Sequence, residues 1–155
     1  MKTIILYATK HGAAAEIARR IAEKMTGATV HDLKQPVPDL AEYDSVIVGS
    51  SVYAGMFRKE AKAFLSQNVD ILKAKNIGLF ASGMSKDETG KVFTDNVPAE
   101  VMQSAKTTML LGGLFDPKKA NFAERLVMKV VTKQSGYVDA IDSGEIDKFV
   151  EAMSK

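Results

Sequence analysis

The residues best suited to chemistry stand in one short stretch, Thr9-Lys10-His11-Gly12-Ala13-Ala14, between an apolar run and an alanine-rich helical pattern. A glycine turn that opens a helix presents unpaired backbone amides and roughly half a positive charge, which together favour an anion. Gly12 lets the backbone approach a ligand closely, and Ala13 and Ala14 add no bulk. Thr9 offers a hydroxyl, while Lys10 and His11 offer positive charge. The chemistry read from this pattern is phosphate binding; the plainer alternative is a strand-to-helix turn with a solvated Lys-His pair. The stretch is neither a P-loop nor the GxGxxG of a dinucleotide fold. It also lacks the acidic residues that a phosphate-accepting response regulator carries at the end of its first strand. A small mononucleotide remains.

Two further stretches can complete such a site. In Ser50–Glu60 (SSVYAGMFRKE), Gly55 allows a tight turn, Tyr53, Met56 and Phe57 are large apolar groups, and Ser51, Ala54 and Gly55 count with Tyr53 and Met56 as cofactor-binding candidates. Such groups suit the wall of a flat heteroaromatic ring, because burial and stacking both reward a rigid planar partner. Phe57 reads as core and Tyr53 as the better ring contact. In Ala81–Val97, the part from Gly83 to Asn96 is long for a connection inside a domain, and long connections are often functional. Lys86 to Lys91 read as a solvated turn.

The elements that must position these stretches alternate along the chain. Strands are expected over Thr3–Ala8, Ala28–Leu33, Asp44–Ser51, Ile77–Ser82 and Thr107–Gly112. Helices are expected over Ala13–Met25 with Gly27 as its C′ stop, and over Arg58–Asn68, Pro98–Ala105, Asn121–Lys133 and Glu145–Met153. Ile17, Ile21 and Met25 share one face of the first helix; Ala61, Phe64 and Leu65 point inward from the second. Strands joined by helical crossovers specify an α/β fold, a five-stranded parallel sheet covered on both faces. The expected arrangement is one doubly wound domain, residues 1–155, with strand order 2-1-3-4-5. Ligands of such sheets sit beyond the carboxyl ends of the strands, where the order reverses, here between the first and third.

Composition narrows the function classes. The chain has 155 residues, of which 46% are hydrophobic and 26% charged, as expected of a globular domain. A formal charge of +2 gives no argument for nucleic acid. There is no cysteine, so thiol redox chemistry and thiolate metal sites are excluded, and only His11 and His31 provide imidazole. No side chain announces itself as a catalytic acid or base. Redox work would therefore fall to a bound cofactor. The N-terminal apolar run is too short for a signal peptide, and no stretch approaches the ~20 apolar residues that span a bilayer. A cytoplasmic protein is expected.

The first stretch resembles the phosphate loop of flavodoxins, with Thr9 and Gly12 in register and His11 and Ala14 standing where that pattern has hydroxyls. The order of elements resembles the flavodoxin fold over essentially the whole chain. The resemblance implies flavin mononucleotide (FMN), its phosphate on Thr9–Ala14, its ring against Tyr53 and Met56, and its pyrimidine edge near Ser82, Gly83 and Met84. The backbone amides and Lys10 and His11 would take over from the missing hydroxyls. A narrower resemblance rests on Gly112-Gly113-Leu114-Phe115, Arg125-Leu126-Val127-Met128-Lys129, Ser135-Gly136 through Asp139, and the SxxYxGxFRKEAKAF pattern. These look like the menaquinone-dependent protoporphyrinogen IX dehydrogenases, which implies transfer of electrons from a porphyrinogen through FMN to a quinone. From Leu114 to Ser135 there are five basic and two acidic residues, with Arg125, Lys129 and Lys133 forming a helical stripe. That stripe suits an anionic membrane surface or a partner, or it is a solvated face. Two alternatives stay open: an electron carrier of flavodoxin type, which a basic pI near 8.7 disfavours because flavodoxins tend to be acidic, and a flavin-free binding module of the same fold.

Overall fold

Continuous apolar runs build the sheet, because a strand covered on both faces has no polar side to show. The computed structural model describes residues 2–83, 89–115 and 138–155. Within them the main strands are β1 (Thr3–Ala8), β2 (Thr29–Asp32) and β3 (Ser45–Tyr53), then a short β4 (Met56–Phe57), β5 (Asn76–Ser82) and β6 (Ala105–Leu110). The parallel order is β2-β1-β3-β5-β6, with β4 antiparallel to the end of β3. With that hairpin strand set aside, this is the doubly wound order expected from the sequence. Parallel register aligns Ala8 with Ser50 and Ser51 with Ser82, so the carboxyl ends of β1, β3 and β5 lie side by side.

Alternation along the strands feeds two cores. Ile4, Leu6, Val46, Val48 and Leu79 face helices α2 (Lys59–Gln67), α3 (Val69–Lys73), α4 (Thr89–Asn96) and α5 (Ala99–Ser104), meeting Leu65, Leu72, Phe93 and Val101. Ile5, Ile47 and Phe80 face α1 (Ala13–Glu23) and α6 (Ser143–Ser154), meeting Ile17, Ile21, Ile146, Phe149 and Met153. Gly49 lies opposite Phe80 in register, and a Cβ on it would fall 1.9 Å from the Phe80 Cζ. The missing side chain lets the Phe80 ring lie across β3 and meet Phe149 edge-on, centroids 6.2 Å apart.

The structure departs from the sequence reading in several places, the unforeseen short helix α3 and the end of β6 at Leu110 rather than Gly112 among them. Met56–Phe57, expected in a loop, folds back as β4. The expected long loop up to Asn96 contains α4, whose Val92 and Phe93 are buried and supply the apolar contact that its polar residues hid. The following helix ends one residue early, so β6 starts at Ala105 rather than Thr107. Helix α1 ends at Glu23 with Lys24 as its cap, so Gly27, at φ 78, serves the turn into β2 instead of stopping the helix. Leu114–Phe115 and Val138–Asp139 form an unforeseen antiparallel ribbon, β7 and β8. The expected helix Asn121–Lys133, with Arg125, Lys129 and Lys133, lies outside the described residues.

Ion pairs fasten α1 to the C-terminal part of the chain. Glu16 accepts from Arg19 at 2.6 Å and Arg20 at 3.0 Å, Arg20 also reaches Asp139 at 3.0 Å, and Lys24 pairs with Asp147 at 2.6 Å. The Arg19 hydrogen bond, with burial opposing and Arg20 assisting, holds the Glu16 carboxyl down at about 2. Because an unfolded glutamate titrates near ~4.3, the stabilisation is complete above that pH and is lost as pH falls toward 2.

Two outcomes are expected. Glu16→Gln should lower the urea-unfolding free energy by ~1 kcal/mol at pH 7, after allowance for solvent screening, and the gap should close between about pH 4.5 and 2. A gap of the same size at both ends of that range would contradict the assignment. Gly49→Ala should cost ~2 kcal/mol or more through overpacking against Phe80. Adding Phe80→Leu to it should give a loss well below the sum of the two single changes; strict additivity would show that the two residues do not compete for this space.

Candidate functional site

The turn between β1 and α1 is organised by Gly12, which caps α1 at φ 100, in the left-handed region that favours glycine. Its own N–H donates to the Thr9 Oγ1 at 2.9 Å, so the threonine hydroxyl closes the turn and keeps its proton to donate elsewhere. No side chain caps the helix. The first bond of the helical ladder runs from the Glu16 N–H to the Gly12 carbonyl, 2.9 Å, which leaves the N–H groups of Ala13, Ala14 and Ala15 ahead of it. The methyl groups of Ala13 and Ala14 are buried, and Ala14 packs with Ile5 and Ile17 in the core. A hydroxyl at position 14 would enter that apolar contact, so what this position offers a ligand is its amide. His11 is half-buried and Lys10 exposed.

Lys10 joins this turn to the second stretch. Its N–H donates to the Ser51 Oγ at 3.2 Å, and its ammonium lies 5.0 Å from the centroid of the Tyr53 ring. Ser50, fully buried, accepts from the Arg58 N–H at 2.8 Å and donates to the Ser51 carbonyl at 2.9 Å, fixing the end of β3 against the start of α2. Beyond it, Tyr53 pairs with Met56 across the hairpin, and the two connecting residues stand at positive φ, Ala54 at 51 and Gly55 at 78. That is a type I′ geometry, natural for Gly55 and strained for Ala54 by ~1 kcal/mol. Tyr53 and Met56 are 47% and 46% exposed, two large apolar groups left open together at the sheet edge. Phe57 turns the other way, buried and edge-on to Phe93 at 5.9 Å, as expected for a core residue.

The third stretch contributes less than the sequence suggests. Ser82 is buried beside Ser51 in register. The N–H of Gly83 is taken by the Gly112 carbonyl at 3.0 Å, which leaves the Gly83 carbonyl rather than its amide for a ligand. Met84 lies outside the described residues. Sequence reasoning missed Ser50 and Asn96 as organisers of the site. A polar amide that closes a helix whose Val92 and Phe93 face inward was the available signal for Asn96.

The arrangement thus sets a helix N-terminus, of the kind that suits an anion, beside an exposed aromatic and thioether wall, at the carboxyl ends of β1 and β3. Among the described residues no helix is long and apolar enough to cross a membrane. The protoporphyrinogen IX dehydrogenase (quinone) of Escherichia coli (strain K12) is 23% identical over 150 residues, covering 88% of this chain and 81% of that one. The flavodoxin of Streptococcus pneumoniae TIGR4 superposes with a TM-score of 0.59 at 18% identity, covering 99% of this chain and 96% of that one. A flavoprotein of Lactobacillus acidophilus NCFM, solved in complex with FMN, gives 0.57 at 16% identity, covering 70% of this chain and 92% of that one. At such identities the two structures share the fold. The family model described as "Flavodoxin domain" matches residues 4–141, and by that match the chain belongs to the flavodoxin domain family.

Proposed function

We propose that this chain binds FMN and works as an oxidoreductase, with a porphyrinogen as electron donor and a quinone as acceptor. The observation that carries the FMN reading is Lys10: one residue ties the uncapped N-terminus of α1 to Ser51 and to the Tyr53 ring. A ligand matching both halves needs an anion at one end and a flat, partly apolar ring at the other, which describes a flavin mononucleotide. The site residues fit that group. The amides of Ala13, Ala14 and Ala15 and the Thr9 hydroxyl would hold the phosphate, with Lys10 and His11 adding positive charge. Tyr53 and Met56 would cover the ring, and Ser82 with the Gly83 carbonyl would face its polar edge.

When bound, FMN supplies the exchange of electrons that no side chain of this cysteine-free chain provides. The protein's part is to bind and orient. For Tyr53 to receive a ring on the face that Lys10 covers, the ammonium must swing aside, and the phosphate gives it a stronger partner. The choice of donor and acceptor rests on the relative from Escherichia coli, whose name states protoporphyrinogen IX and quinone. A second reading, an electron carrier, draws on the end-to-end match with a flavodoxin, 99% and 96% of the two chains.

Titration followed by flavin fluorescence separates these readings. FMN should bind at least ~10-fold tighter than riboflavin, a difference of ~1.4 kcal/mol or more from the phosphate alone. Equal affinities would remove the phosphate turn from the account. The loaded protein should then oxidise a porphyrinogen over many turnovers with a menaquinone analogue as acceptor. If instead it only relays electrons from a flavodoxin reductase to an added acceptor, the carrier reading stands.

A further inference from the structure

Beyond the groups that would touch a ligand, Asn96 holds an unusual place at the end of α4. Its side-chain amide is buried at 5% exposure and makes three hydrogen bonds to backbone. The Oδ1 accepts from the Phe57 N–H at 3.0 Å, and the Nδ2 donates to the Gly55 carbonyl at 2.9 Å and to the Val92 carbonyl at 2.7 Å. Gly55 and Phe57 flank Met56, so one amide grips the hairpin on both sides of a residue that forms the exposed wall. The grip is reinforced by the edge-on pair of Phe57 and Phe93 from the same two elements.

The grip has work to do. The hairpin connection carries Ala54 at φ 51, the one non-glycine residue at positive φ among the described residues. A two-stranded ribbon of this length is not stable unaided, and a strained tip makes it less so. Without an anchor the hairpin would sample several conformations, and Tyr53 and Met56 would lose their cross-strand pairing. Only an amide can serve here, because the anchor must accept from one backbone group and donate to two others.

On the reading that the site binds FMN, we infer that Asn96 is a positioning residue for the ring half of the site. It sets the Tyr53–Met56 wall through the hairpin and contributes nothing to the phosphate half. Two flavins then separate its role from general stability. Asn96→Leu should weaken FMN and riboflavin alike, each by ~5–30-fold, with their affinity ratio unchanged, when measured well below the unfolding temperature of the variant. Asn96→Asp keeps the acceptor for Phe57 but turns a carboxylate toward two carbonyls, and should show the same equal weakening.

Several results would overturn the inference. Unchanged affinity for both flavins in a folded variant would do so, as would a loss confined to FMN, which would move Asn96 to the phosphate half. Should neither variant fold, amide exchange in the wild-type chain decides: flavin should slow exchange of the Phe57 amide proton several-fold, and an unaltered rate would count against the joint. Absence of flavin binding to the wild-type chain is a separate outcome, which defeats the FMN reading itself and this inference with it.

Discussion

Everything at the candidate site is referred to one turn, in which Gly12 stands at φ 100 and aims the N-terminus of α1 outward past the end of β1. A left-handed residue at this point reverses the chain in the fewest residues, so the first-turn amides of α1 arrive at the sheet edge rather than beneath it. Thr9 closes the turn from within by accepting from the Gly12 N–H. Helix α1 is held in that direction by the core, where Ala14, Ile17 and Ile21 are fully buried against Ile5 and Ile47. The glycine notch at Gly49 belongs to the same constraint, since it lets Phe80 lie flat under the helices and keeps that layer close to the sheet.

Charge on α1 could have undone this arrangement. Glu16 stands one turn from the helix start, and a bare carboxylate there would repel the anion that the helix dipole attracts. Arg19 and Arg20 occupy both of its oxygens, and Arg20 passes the contact on to Asp139. The pairing leaves the local field of the helix terminus close to that of its backbone. It also couples the turn before α1 to β8, which lies beside the Gly112–Gly113 crossing at the far edge of the sheet. The start of α1 and the anchoring of the C-terminal part of the chain thereby share one cluster.

Much of this was legible in the residues. TIILYA and SVIVGSS read as strands buried on both faces, and the helical crossovers between strands left few orders open, the doubly wound one among them. The glycine turn after β1, and the apolar residues after β3, then had to meet at one edge. What stayed hidden depends on contacts between distant segments. Ala54–Gly55 lacks the Asn-Gly or Asp-Gly signal of a tight hairpin, because Asn96, about forty residues on, stabilises what the turn alone would not. Helix α4 carries Gly90, Thr94 and Asn96 and has weak intrinsic preference for a helix; burial of Val92 and Phe93 overrides it. The engagement of the Gly83 amide by Gly112 joins two chain segments whose sequences carry no sign of each other.

The most direct test of the central claim is to follow backbone amide resonances in a two-dimensional nitrogen–proton spectrum while FMN, and separately riboflavin, is added. The account predicts that the amides of Gly12, Ala13, Ala14 and Ala15 move strongly downfield with FMN and little with riboflavin, while those of Tyr53–Phe57 respond to both. Amides of the α1 terminus that stay in place as FMN saturates the protein would contradict it, and would mean that the phosphate is held elsewhere or not at all.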